Sequence, residues 1–74
     1  MTITEKANTN VLDKRFFSND IMRKVRRMID RIESPVCFNT YIDWVDGEAR
    51  VTLTTDEYSD VIETRFRKLV SSYK

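Results

Sequence analysis

Apolar residues recur at helical spacing from Ile21 to Ile32, with Val25, Met28 and Ile29 between them on one side of a helical wheel. Ser18, Asn19 and Asp20 come just before, and all three residue types accept hydrogen bonds from the free N–H groups of a helix start. Phe17 can staple the entry of the chain. Pro35 biases Ser34 out of the α region, so the pattern predicts a helix over 19–33.

The period then changes to two. Val36, Phe38, Thr40, Ile42 and Trp44 fall on one face of an extended segment, and Cys37, Asn39, Tyr41, Asp43 and Val45 on the other. Asp46-Gly47 suits a type I′ turn, which needs positive φ at both central residues. A two-residue hairpin there has strands over 36–45 and 48–54. It pairs Val45 with Glu48, Trp44 with Ala49, Asp43 with Arg50, Ile42 with Val51, Tyr41 with Thr52 and Thr40 with Leu53. The register is self-consistent: Phe38, Ile42, Trp44, Ala49, Val51 and Leu53 share a face, and Asp43 meets Arg50 on the other.

Thr54 and Glu57 have capping-box spacing and predict a second helix over 55–73, with Tyr58, Val61, Ile62, Phe66, Leu69, Val70 and Tyr73 on its apolar side. Its acids (Asp56, Glu57, Asp60) lie near the start and its bases (Arg65, Arg67, Lys68) toward the end, as the helix dipole favours. Residues 1–13 show no sustained period and read as a mobile arm, with Val11 and Leu12 able to dock, ahead of one domain over 14–74. The expected fold is a two-layer α+β sandwich of order αββα, in which two helices cover one face of the hairpin.

Such a hairpin has two open edges, and a domain of 74 residues gains little from a single core. Disulfide and Cys/His zinc supplements are excluded by a lone cysteine, Cys37, and the absence of histidine. A homodimer in which two hairpins join into a four-stranded sheet is therefore expected. The alternative is that the N-terminal arm covers an edge.

The same inventory argues against an enzyme. The commonest general base is missing, and Cys37 has no evident activating partner and reads as a semi-buried strand residue. Gly47 alone cannot build a phosphate-binding loop, and the scattered carboxylates give no metal site, so no cofactor is expected. The polar stretch Met1–Asn10 and the lack of a long apolar run point to a cytoplasmic protein without membrane attachment.

Charge sharpens the picture. The total is +1, yet Lys14–Arg31 is strongly basic and Ile32–Glu63 strongly acidic. Arg23, Arg27 and Arg31 recur every four residues, joined by Lys24 and Arg26, and like charges at this spacing cost a few tenths of a kcal/mol each. Arginine's planar fork suits anion recognition. The bland alternative is a solvated face, with Asp20 pairing Arg23 and Lys24, and Asp30 pairing Arg26 and Arg27.

Tyr41 and Arg50 on the outer hairpin face complete the candidate partner-binding set of Arg23, Lys24, Arg26, Arg27, Arg31, Tyr41 and Arg50. The expected function is a small interaction module, a regulator, inhibitor or adaptor that acts on a protein partner by occupancy. Its composition is analogous to that of phage and mobile-element accessory proteins. The alternative is nucleic-acid binding through the first helix, extended by Lys14, Arg15, Arg65, Arg67 and Lys68, against which stands a pI near 7.9.

Overall fold

The computed structural model describes residues 1–7, 13–32 and 36–73. In chain order these form β1 (Thr2–Lys6), α1 (Lys14–Asp30), β2 (Phe38–Val45), β3 (Glu48–Thr55) and α2 (Asp60–Ser71). Val11, Leu12 and the expected helix end at Glu33–Pro35 lie outside the described residues, as does Lys74.

The hairpin register is the one read from the alternation, pair for pair, from Thr40 with Leu53 to Val45 with Glu48. Asp46 and Gly47 both take positive φ, 53° and 80°, as a type I′ turn requires. The N-terminal segment corrects the expected mobile arm and the αββα order. Thr2–Lys6 pairs antiparallel with β3, from Thr2 with Thr54 to Lys6 with Arg50. The sheet is therefore three-stranded in the order β1-β3-β2, and β3 is bonded on both sides. Backbone bonds from Ala7 N to Ala49 O (3.0 Å) and from Thr55 N to Met1 O (2.8 Å) extend the pairing at both ends.

One sheet face is apolar. Ile3, Ala49, Val51 and Leu53 are buried there beneath Phe17, Ile21, Val25 and Ile29 of α1 and Ile62, Phe66 and Val70 of α2. Trp44 packs at the margin, 5.7 Å edge-on from the Phe17 ring, with Lys14 Nζ 5.1 Å from its centroid. Thr2, Thr4, Thr52, Thr54, Asn39 and Tyr41 alternate onto the opposite face, where Thr4 and Thr52 share a hydroxyl–hydroxyl bond of 2.9 Å. Asp43 and Arg50 stand opposite each other in register, but the ion pairs among the described residues do not join them, and Asp43 Oδ1 accepts from Trp44 N at 3.0 Å. Cys37 precedes β2 and is exposed rather than semi-buried.

Both helix starts differ from the sequence expectation for identifiable reasons. The cap of α1 is Asp13, whose Oδ1 accepts from Phe16 N at 3.0 Å. Ser18, Asn19 and Asp20 lie inside the helix, where the Ser18 hydroxyl donates to Lys14 O at 2.8 Å. Phe17, expected as a staple outside the helix, is a buried core residue within it. β3 runs through Thr55, whose hydroxyl donates to Glu57 O at 2.6 Å. The cap of α2 is consequently Ser59 and not Thr54, and Asp56 and Glu57 precede the helix. The later start puts Tyr58 ahead of the helix, 67% exposed, and Val61 lies beyond the border of the buried stripe, 50% exposed, contrary to their expected place on the apolar side, while Ile62 is 0% exposed.

The α2 register is testable by an exposed and a buried neighbour. Ile62→Ala is expected to cost about 2–5 kcal/mol in urea unfolding, and Val61→Ala less than about 1 kcal/mol. Comparable losses at both positions would contradict the register.

Candidate functional site

The two helices lie side by side over the sheet, and their outer borders form a groove of about 630 Å³. Lys24, Arg27 and Arg31 come from one wall, Arg65 and Lys68 from the other, and Met28 and Leu69 provide the apolar lining. Each wall follows from helical spacing. Residues 24, 27, 28 and 31 share one border of the α1 apolar stripe, and 65, 68 and 69 share one border of the α2 stripe. No carboxylate is among the described residues that line the groove. Five cations around a partly apolar furrow make a concentrated positive field although the chain as a whole carries only +1.

One wall is held by a polar cluster where α1 meets the end of the chain. Tyr73 Oη donates to Asp20 Oδ2 at 2.5 Å, Arg23 Nη2 lies 2.7 Å from Oδ1, and Lys24 Nζ lies 3.2 Å from Oδ2. The Lys24 ammonium also stands 4.4 Å from the Tyr73 ring centroid, and that ring packs edge-on against Phe17 at 4.9 Å. The Tyr73 hydrogen bond foremost, then the Arg23 bond, holds the Asp20 carboxyl down at about 2 against partial burial. Burial, then the bond to Asp20, pushes the Tyr73 phenol up to about 12. Lys24 is thus fixed at the groove mouth by a carboxylate and an aromatic face.

The candidate residues divide into three groups. Lys24, Arg27 and Arg31 line the groove with Arg65 and Lys68. Arg23 and Arg26 line a separate cleft of about 600 Å³ between α1 and β2, with Phe38, Asn39 and Thr40. Tyr41, 62% exposed, and Arg50 lie on the outer sheet face, away from both. The expected Asp20 pairs with Arg23 and Lys24 are present, whereas pairs from Asp30 to Arg26 or Arg27 are not among those of the described residues.

Arg67 is directed away from the groove, toward Glu5 Oε2 at 3.2 Å and Glu63 Oε2 at 3.5 Å. Met28 and Leu69 escaped notice as lining residues because both sit in apolar stripes that read as core. Their position at the stripe borders was the available signal.

Among the described residues, no three His, Cys, Asp or Glu side chains converge to hold a metal ion. No helix is long and apolar enough to cross a membrane. Comparison of the chain with protein-family models, curated proteins and solved structures finds no match. The groove's chemistry therefore carries the functional reading.

Asp20 gives the polar cluster a pH signature. Its carboxyl is held below the ordinary value, so its stabilising contribution is complete above about pH 4 and disappears as pH falls through about 2. Tyr73→Phe is therefore expected to lower the urea midpoint at pH 7 and to differ much less from the parent at pH 2. An equal deficit at both pH values would contradict the coupling.

Proposed function

We propose that this protein is a non-enzymatic interaction module whose α1–α2 groove takes an acidic segment of a partner protein and acts by occupancy. The observation that carries this reading is the union of five cations with an apolar lining and no carboxylate among the described lining residues. Glutamate or aspartate side chains would meet Lys24, Arg27, Arg31, Arg65 and Lys68, and an apolar side chain would cover Met28 and Leu69. A regulator, inhibitor or adaptor needs only this kind of surface. A cytoplasmic setting is part of the same proposal, supported by the unpaired Cys37.

Nucleic acid is the competing ligand, because phosphates would meet the same cations. The groove favours protein on one ground: a sugar–phosphate backbone has no counterpart for Met28 and Leu69.

Titration with a synthetic peptide of glutamates interrupted by leucine, beside duplex DNA, duplex RNA and single strands, tests the choice. The peptide is expected to shift the amide signals of Arg27, Met28 and Leu69, and Arg27→Glu/Arg65→Glu to weaken it about tenfold or more. Binding of nucleic acid with a steep salt dependence, and none of the peptide, would overturn the reading.

A further inference from the structure

The cationic groove has a counterpart on the same chain. Asp56, Glu57 and Asp60 fall within one short exposed stretch between β3 and the first turn of α2, and two exposed apolar side chains, Tyr58 and Val61, interleave and follow them. The Tyr58 hydroxyl donates to Asp60 Oδ1, so the ring and that carboxylate are presented together. None of the three acids enters an ion pair among the described residues, and neither do Arg27, Arg31, Arg65 and Lys68 of the groove. The other acidic stretches are partly neutralised. Lys6 Nζ lies 3.0 Å from Glu48, Arg50 stands opposite Asp43, and Asp30 shares its cleft with Arg23 and Arg26.

We infer that the segment Asp56–Val61 of a second copy occupies the α1–α2 groove, so that the chain is a ligand of its own site. This rests on the reading of the groove as a site for acidic protein segments, and it names one such segment. Asp56, Glu57 and Asp60 bring three carboxylates to five cations, while Tyr58 and Val61 bring apolar surface to Met28 and Leu69. Charge and apolar cover are thus matched at one contact.

The occupant must come from another molecule. Thr55 Oγ1 donates to Glu57 O at 2.6 Å and Ser59 Oγ accepts from Ile62 N at 3.3 Å, which fixes the segment at the start of α2. Lys68 lies about 12 Å farther along the same helix than Asp60, so the segment cannot fold back over its own groove. The dimer expected from two joined hairpins is not available at β3, whose second edge β1 already holds, whereas a contact at the groove leaves the sheet as it is. Segment and groove are different surfaces, so copies join head to tail or close at two by filling each other's grooves. Occupancy then follows concentration: dilution opens the groove to another partner.

Light scattering coupled to size exclusion at high micromolar concentration is expected to give at least twice the chain mass of 8.8 kDa. Asp56→Lys/Glu57→Lys is expected to weaken self-association about tenfold or more and still to bind the glutamate–leucine peptide, since both residues lie outside the groove and ahead of α2. Arg27→Glu/Arg65→Glu is expected to lose both. An equimolar mixture of the two variants is expected to associate again, because the intact segment of one meets the intact groove of the other. A parent that stays monomeric while binding the peptide would overturn this inference alone. So would self-association that survives Asp56→Lys/Glu57→Lys, or a mixture that stays monomeric, with circular dichroism confirming that each variant is folded. Loss of peptide binding and self-association together in the parent would overturn the groove reading as well.

Discussion

The constraint on which this fold depends is that β3, alone among the described strands, is bonded on both sides. Ala49, Val51 and Leu53 are wholly buried along its inner face, and each other element is placed by reference to that row. β2 is tied to it by a two-residue turn, β1 by antiparallel pairing, and the helices by the apolar stripes that cover it. Because only one sheet face is apolar, both helices must share it. Their side-by-side packing brings the basic border of α1 to the basic border of α2. The groove is thus a consequence of the same burial that holds the fold together, and burial is the dominant favourable term in a domain of this size.

How much was legible depended on whether local signals agreed with one another. In the hairpin they did: alternation, turn chemistry and the cross-strand pairs all gave one register, which the fold adopts. The N-terminal strand TITEK carried too little apolar content to be recognised. Ile3 and Ala7 turn inward, but between them stands Glu5, a charge whose role appears only when Arg67 meets it from α2. The start of α1 was obscured by Ser18, Asn19 and Asp20, good cap residues placed inside a helix. Asp20 is tolerated there because Tyr73, Arg23 and Lys24 satisfy it.

The candidate site shows the same division. The arginine ladder of α1 was visible as spacing, but one helix carries it into two clefts, so that Arg27 and Arg31 join α2 while Arg26 turns toward β2. Sequence spacing gives a position around the helix axis and not the neighbour across it. Arg65 and Lys68 could be noted as basic, yet only the packing of α2 beside α1 sets them opposite Lys24 and Arg27. Sorted charge along the chain has become sorted charge in space. One groove is cationic, while the outer sheet face sets Thr2, Thr4, Thr52 and Thr54 beside Lys6, Asp43, Glu48 and Arg50, charges of both signs.

The central structural claim is that the N-terminal segment completes the sheet, because this bonds β3 on both sides and places Glu5 within reach of Arg67. Amide hydrogen exchange of the full chain tests it most directly. The N–H groups of Ile3, Glu5 and Ala7, directed at β3, are expected to exchange as slowly as those of β3 itself. Free exchange at these three amides, with the hairpin and helices still protected, would contradict the account.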